Sequence, residues 1–406
     1  MNQLSIQQQA LLELVKMGIG TSNSDFDFTT LTADDWAEVM KASRVQTVHL
    51  LCYDAAKNLT ALMPKEINEQ WFLLSAKTIA KNHMVLNAQN ELIKLLDKND
   101  FSYIILKGFA AASYYPDFEK RCYGDVDFLI SPSQQQAVED VLISEGYIRE
   151  LNDHICHRVF KKPGAHLEMH FEVAGIPNGS QGQVFRKYFE NASRKHTLND
   201  NPVFCNPNPE THAIILLLHT IHHMVDEGLG LRHLCDWACF VNKTYKEAFW
   251  ASDVLPILEK TGTLNFAVAV TKTCAVYLGT VCPNWAENVD EKLCFQIITD
   301  ILDLGNFGRG NLTRSVSGRM ITQHGKNGIE NRKSAYFANK INDIVQDVSA
   351  NANSKISVPF IVTWRLIKTF FLMLSGKRIS AFKTNAYANE RKSIYEQFRL
   401  FETDNK

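Results

Sequence analysis

The 406-residue chain lacks a charge excess of either sign, because 43 lysines and arginines nearly balance 44 aspartates and glutamates. A formal net charge of -1 excludes a strongly basic chain that would bind nucleic acid through its overall charge, so no nucleic-acid partner is expected. Glycine (20) and proline (11) are too scarce for a collagen-like or low-complexity chain. Hydrophobic residues make up 45%, which is enough for a sizeable core.

Paired cysteines and long apolar runs are also missing. The nine cysteines are irregularly spaced and form no Cys-x-x-Cys pair, which argues against a disulfide framework or a zinc finger. The first residues lack the basic start and apolar run of a secretion signal. No stretch reaches the roughly 18 uninterrupted apolar residues that a spanning helix needs. We therefore expect a cytoplasmic protein.

A local charge bias appears only towards the end of the sequence. Residues 355–392 hold eight basic side chains against one acid, Glu390, and many aromatic and aliphatic residues. Such a helix can lie on an anionic membrane surface, so peripheral membrane contact is one interpretation. The other interpretation, which we favour, is a core helix followed by a solvated basic tail.

The hydrophobic pattern predicts an α+β protein with three regions. Residues 1–98 have helical periodicity, with Thr32 as an N-cap and a long helix over 65–96. Residues 99–205 alternate short β-branched runs with turns, which predicts a mixed unit. Residues 206–406 are helical again. The predicted strands are 101–106, 126–130, 147–151, 156–161 and 166–173, and the predicted later helices are 211–225, 231–241, 255–278, 292–304, 336–350 and 356–403, with a loop over 305–335.

Two acids in an apolar strand are the strongest chemical signal. Asp125 and Asp127 are two residues apart, so the period of a strand puts both carboxylates on one face. Their neighbours are apolar, and two carboxylates in such a place repel each other. A divalent cation removes this cost, and oxygen ligands suit Mg²⁺ or Mn²⁺. Glu168, between Leu167 and Met169 on a later strand, supplies a third acid.

These acids and their neighbours resemble the polymerase-β-like nucleotidyltransferase superfamily, and within it the uncharacterised nucleotidyltransferase family. The superfamily carries a glycine-containing turn, an Asp-x-Asp strand and a third acid on a later strand. The matching segments here are Leu106-Lys107-Gly108, Tyr115-Pro116, Arg121, Asp125-Val126-Asp127-Phe128-Leu129 and Glu168-Met169-His170. The likeness extends to His219, His222-His223, the stretch from Gly228 to Trp237 and Gly305-Asn306-Phe307-Gly308, and covers roughly residues 75–310.

The resemblance implies a small mixed sheet between an N-terminal helical region and a larger C-terminal helical domain. It implies a Mg²⁺-dependent or Mn²⁺-dependent transfer of a nucleoside monophosphate from an NTP, expected to be ATP, to an acceptor. The residues it makes catalytic and metal-binding are Asp125, Asp127 and Glu168. Those expected to border the nucleotide are Lys107, Gly108, Arg121 and His170. The usual Gly-Ser of the first motif is Lys107-Gly108 here, so the lysine charge would replace a serine hydroxyl at the phosphates.

Several of these residues have a second interpretation. Arg121 either holds the triphosphate or forms a salt bridge that fixes the loop. His170 either orients Glu168 or simply packs, and Glu172 competes with Glu168 as the third acid. An i,i+4 salt bridge between Arg232 and Asp236 is the default expectation.

The histidines at 219, 222, 223 and 233 are also open to two interpretations. The i,i+4 spacing of His219 and His223 suits a metal, but no HExxH acid or cysteine pair accompanies them. We therefore expect this group to line the nucleotide or acceptor cleft.

A function of another class remains as the alternative. The fold would then be a non-catalytic binding module in a membrane-proximal assembly that handles polysaccharide or lipid precursors. The basic segment 355–392 motivates it.

Overall fold

A computed structural model of the chain describes residues 3–22, 26–151, 156–190, 194–197, 205–226, 228–309 and 391–402. In these residues a five-stranded mixed sheet is combined with many helices, which confirms the α+β class.

The N-terminal region is helical, as its periodicity predicts. Thr32 begins the second helix with a capping box: its hydroxyl accepts from the Asp35 N–H, and the Asp35 carboxylate accepts from the Thr32 N–H. The predicted long helix extends two residues further than expected. The bounds are α1 Ile6–Ile19, α2 Ala33–Val45, α3 His49–Ala56 and α4 Lys65–Lys98.

The five-stranded sheet has the order β1-β2-β5-β4-β3. Strands β2 and β5 are parallel, and the other pairs are antiparallel. The second strand has the predicted bounds. The strands are β1 Tyr103–Ile105, β2 Val126–Ile130, β3 Ile148–Arg149, β4 His157–Lys162 and β5 Ala165–His170, and the helices between them are α5 Phe109–Ala112 and α6 Gln135–Ser144.

The two faces of this sheet have different roles. Strand alternation sends Phe128, Leu167 and Met169 into one apolar cluster together with residues of α4 and α6. The alternate residues Ile104 and Leu106 pack instead with apolar residues of a later helix, Pro209–Asp226. Acids that alternate with the first set therefore lie on the side of the C-terminal helices.

The region after the sheet contains elements that the sequence pattern did not predict, namely α7 and a two-stranded ribbon of β6 and β7. The single helix predicted over 255–278 is wrong. It ends at Gly262, whose φ of +66° is left-handed and favours glycine, and a new helix follows. The bounds are α7 Ser180–Glu190, β6 Arg194–Thr197, β7 Cys205–Pro207, α8 Pro209–Asp226, α9 Leu231–Thr244, α10 Glu247–Phe249, α11 Leu255–Thr261, α12 Leu264–Leu278 and α13 Glu291–Leu304.

Only parts of the last predicted elements fall in the described residues. The predicted loop begins with a short 3₁₀ turn, Asn306–Gly308, directly after α13. Residues 391–398 are helical, as predicted. Most of the loop over 305–335, the helix over 336–350 and the rest of the helix over 356–403 lie outside the described residues.

Candidate active site

The predicted acids meet on the sheet face that looks towards the C-terminal helices. Parallel pairing of β2 and β5 sets Asp127 directly opposite Glu168. Oxygen and nitrogen atoms of Asp127, Glu168 and His170 lie within 4.8 Å of one another, which is close enough to share one metal ion. Asp125 comes just before β2 and is partly exposed, at the edge of this group.

Two cations hold the buried carboxylate of Asp127. Its Oδ1 lies 3.0 Å from the Lys107 Nζ and 3.1 Å from the His170 Nε2. Burial lowers the pKa of Lys107, but the charges of Asp127, Asp125 and Glu168 outweigh it and the net pKa is raised. Burial likewise opposes protonation of His170, yet its bond to Asp127 brings its pKa well above the ordinary value. Lys107 and His170 are therefore both charged, and the three acids hold two compensating cations.

Glu168 is the better placed of the two acids proposed for the third position. Its Oε2 is 3.5 Å from the His170 Nε2, so His170 touches both Glu168 and Asp127. Burial raises the pKa of Glu168, but hydrogen bonding to His170 and the charge of Lys107 make it lower than usual overall. Glu172 points elsewhere, because its carboxylate accepts two bonds from Arg186 at 2.5 and 3.1 Å. Glu168 is thus an ionised carboxylate, which is the form that can bind a metal.

Gly108 forms the turn that joins β1 to α5. Its φ of +70° is left-handed, a conformation that side chains disfavour. A side chain there would face the Asp125 carbonyl oxygen, 3.9 Å from the added carbon. The glycine therefore lets the chain turn sharply beside Asp125 just after Lys107.

Arg121 matches its alternative interpretation, a salt bridge that fixes the loop. Its Nε and Nη2 donate to the two oxygens of Asp236 at 2.7 and 2.8 Å, and the Tyr115 hydroxyl donates to the same carboxylate at 2.8 Å. Asn82 of α4 adds bonds to the Arg121 carbonyl oxygen and the Tyr123 N–H. These contacts lock the segment before β2 onto α9 and α4.

The expected pair between Arg232 and Asp236 is wrong. Although the spacing fits one helix face, both Asp236 oxygens are occupied by Arg121. Arg232 instead donates its Nη1 to the Cys122 carbonyl oxygen at 3.3 Å.

The histidines of α8 connect to the acids through Lys107. The His219 Nε2 lies 3.2 Å from the Lys107 Nζ and 2.9 Å from the His223 Nε2. An ammonium can only donate, so the His219 Nε2 is an acceptor and the proton of this second bond belongs to His223. Burial, with the nearby Lys107 charge, brings the pKa of His219 well below its usual value.

His233 of α9 completes this group. Its Nδ1 accepts from the Gly230 N–H at 3.3 Å, so the neutral ring carries its proton on Nε2. Burial, and then the charges of neighbouring basic groups, bring its pKa well below the usual value. His219, His223 and His233 are close enough to bind a metal together. However, the His219 Nε2 lone pair faces Lys107, and the Nε2 atoms of His223 and His233 carry protons. The three histidines, which we call the histidine wall, are therefore better suited to hydrogen bonding than to metal binding.

A tight glycine contact shapes the end of this wall. A side chain at Gly228 would lie 2.6 Å from the Gly308 nitrogen, and one at Gly230 would lie 2.7 Å from Asn306. The Phe307 ring packs 5.0 Å from His223. The motif over 305–308 thus supports the turn from which α9 begins.

The donor set of the acidic group fits a hard divalent cation. Asp127 and Glu168 offer carboxylate oxygens, and Asp125, which is outside this close cluster, is near enough for its charge to act on Glu168 and Lys107. The Lys107 ammonium contacts Asp127, so the protein itself supplies positive charge next to these acids. A bound Mg²⁺ would supply charge neutralisation and Lewis acidity at this point.

The basic C-terminal segment lies largely outside the described residues. Within it, Arg391 is fully buried and bonds to Asp300 at 3.0 Å, so this charge is unavailable to a membrane surface. Among the described helices, none combines the length and apolarity needed to cross a bilayer.

Comparison with known proteins identifies the family. No curated protein and no solved structure matches the chain. A sequence model described as "Uncharacterised nucleotidyltransferase" matches residues 32–279, more than half of the chain, including the acids, the Lys-Gly turn and α8 to α12. The resemblance found in the sequence is thereby confirmed. The chain belongs to this nucleotidyltransferase family.

Proposed function

We propose that the protein is a Mg²⁺-dependent enzyme that moves a nucleoside monophosphate from an NTP, with ATP the expected donor, to an acceptor hydroxyl or phosphate. The acids and Lys107 come from the unit over 99–205, and His219, His223 and His233 come from the helical domain over 206–406. Asp125, Asp127 and Glu168 would hold the metal, and Lys107 and Gly108 would border the phosphates.

The observation that carries this proposal is the pairing of Asp127 with Glu168 across β2 and β5, beside the Lys107 ammonium and the histidines of α8. Carboxylates alone would repel a triphosphate, and cations alone would repel a metal. Carboxylates that lie next to the Lys107 ammonium suit a metal–triphosphate complex.

The proposed reaction is a substitution at the α-phosphorus of the NTP. The acceptor oxygen forms a bond to this phosphorus, the bond to the bridging oxygen of the β-phosphate breaks, and pyrophosphate leaves. Glu168 is ionised, so it can take up the acceptor proton and pass it on to water. Lys107 would stabilise charge on the phosphate oxygens.

Calorimetric titration tests the donor site. ATP, CTP, GTP and UTP would be titrated with Mg²⁺ and with EDTA, into wild type and into the Asp125→Asn plus Asp127→Asn variant. We expect one NTP to bind with Mg²⁺ only, and the double variant to lose this binding. Pyrophosphate release would then be screened with hydroxyl-bearing and phosphate-bearing acceptors.

Asp140→Asn is the matched control, because Asp140 is exposed on α6 and bonds only to Gln136 among the contacts described. It should bind as wild type does. Metal-independent binding, or no binding of any NTP, would contradict the enzyme and favour a non-catalytic module.

A further inference from the structure

Arg232 is a partly exposed cation that forms no ion pair within the described residues. No carboxylate among the described residues lies within ion-pair distance of it. Its Nη1 bonds to one backbone carbonyl, and its buried Nε has no partner in the part of the chain described. The acid one turn further along, Asp236, is already occupied by Arg121.

Three further effects make this position unfavourable for a lone cation. Burial, followed by the charge of Arg121, lowers the pKa of Arg232, and the weaker opposing charges of Asp236 and Asp125 do not offset these two effects. Arg232 also lies in the first turn of α9, where the helix dipole favours anions and disfavours cations. A partly buried cation without an ion-pair partner is costly, so an arginine at this position indicates an anion that is bound during function.

The neighbouring residues extend the donor surface. His233 follows in the same helical turn, is 2% exposed, and its Nε2 also has no partner among the described residues. Its ring is 5.1 Å from that of His219, which contacts Lys107. On the other side, the carbonyl bound by Arg232 belongs to Cys122, three residues before Asp125. The donors therefore border the acidic group and could contact the phosphates of a nucleotide bound there.

We infer that Arg232, with the His233 Nε2–H beside it, binds the β- and γ-phosphates of the donor nucleotide. This inference rests on the proposed function and specifies that Arg232 recognises the β- and γ-phosphates of the nucleotide. A guanidinium offers a planar fork that matches phosphate oxygens. The enzyme should accordingly prefer triphosphates to monophosphates through Arg232, while the acids bind the metal.

The experiment uses inorganic tripolyphosphate as the probe, in EDTA, with the full chain. Wild type should bind tripolyphosphate more tightly than inorganic phosphate. Arg232→Gln should weaken tripolyphosphate binding by about 10- to 100-fold, the value of a charge-assisted hydrogen bond. Arg232→Lys should give an intermediate loss because the charge remains but the fork is lost. Arg186→Gln, which removes an arginine paired with Glu172, should change nothing.

Thermal unfolding without ligand separates binding from a structural role. Removal of a cation without an ion-pair partner should leave the melting temperature of Arg232→Gln unchanged or higher. A clear decrease, unchanged tripolyphosphate binding in this variant, or no tripolyphosphate binding by wild type would each overturn the inference.

The Asp125→Asn plus Asp127→Asn variant distinguishes this inference from the proposed function. It should still bind tripolyphosphate in EDTA. Arg232-dependent binding of tripolyphosphate without Mg²⁺-dependent NTP binding would contradict the proposed function and keep the phosphate site. Mg²⁺-dependent NTP binding that ignores Arg232→Gln would keep the function and overturn the phosphate site.

Discussion

Two arginines lie close to the Asp-x-Asp strand, and their surroundings are opposite. Arg121 is 4% exposed and places its fork on both oxygens of Asp236, with Tyr115 as a further donor to that acid. Arg232, on the same helix as Asp236, has one backbone carbonyl and an unpartnered Nε in the described structure. One arginine belongs to a complete network, and the other to an incomplete one.

This difference separates structural charge from functional charge. In a complete network each charged group already has a hydrogen-bonded partner. A ligand could therefore bind such a group only if existing hydrogen bonds were broken. An incomplete network keeps donors ready for a group that arrives later, at a cost in stability. Lys107 is intermediate, since it is paired with Asp127 but lies on an acid that a metal would also use.

The largest expected effect is on the complete network. Arg121→Gln leaves the buried Asp236 carboxylate without its ionic partner and should lower the free energy of unfolding by about 3–5 kcal/mol. Urea unfolding followed by circular dichroism measures this change. The same experiment on Arg232→Gln should give no loss, so the two variants compare the two environments directly.

Adding Asp236→Asn to Arg121→Gln sharpens the test. The double variant no longer contains the unpaired charge, so it should be more stable than the sum of the single effects predicts, by about 1–3 kcal/mol. Strict additivity would mean that the two residues do not act as a pair, and the contrast with Arg232 would fail.

A smaller effect is expected for the intermediate case. Lys107→Met removes one of the two cations on Asp127, while His170 remains, so the loss should be about 1–3 kcal/mol. If the ammonium takes the place of a metal ion, this variant should bind Mn²⁺ more tightly than wild type and gain more thermal stability from it. Both are read by thermal unfolding over a Mn²⁺ titration.

Lys162→Met is the control for that variant. Lys162 pairs with Glu91 at 2.9 Å and its side chain is 27% exposed, against 23% for Lys107. It should lose little stability, and its response to Mn²⁺ should equal that of wild type. Equal Mn²⁺ responses for the two lysine variants would show that Lys107 and a metal do not compete.

The sequence was most informative about features that depend on residues close together in the chain. The apolar neighbours of Asp127 predicted β2 with the observed bounds, whereas Asp125, predicted to share a face with Asp127, lies just before this strand. The pairing of Asp127 with Glu168 requires the parallel register of β2 and β5, which local pattern does not contain. The family resemblance supplied that step.

The sequence pattern did not predict which residues far apart in the chain contact each other. Spacing joined Arg232 to Asp236, whereas the fold brings Arg121 across from a loop 115 residues away. The available signal was the position of Arg232 just after Gly228 and Gly230, in a first helical turn where cations are disfavoured. The break at Gly262 was missed for a similar reason, because apolar periodicity continues on both sides of it.

An effect no larger than that of Lys107→Met concerns pH, and it lies next to the segment that Arg121 anchors. His49 lies against Cys122 of the locked segment and donates its Nε2–H to Thr78 at 2.8 Å. Burial, and then the charges of Arg44 and Arg309, lower the pKa of His49 to about 4. The unfolded chain takes up this proton below about pH 6.5 and the folded one does not, so the free energy of unfolding falls as the pH falls from 6.5 towards 4. His49 should account for about 2 kcal/mol of the loss between pH 7 and pH 5.

His49→Gln keeps a donor to Thr78 without the titration and should reduce the pH dependence by this amount, whereas the exposed His83→Gln should not. Urea unfolding at both pH values measures the difference, and an equal loss in His49→Gln and wild type would show that folding does not lower the pKa of His49.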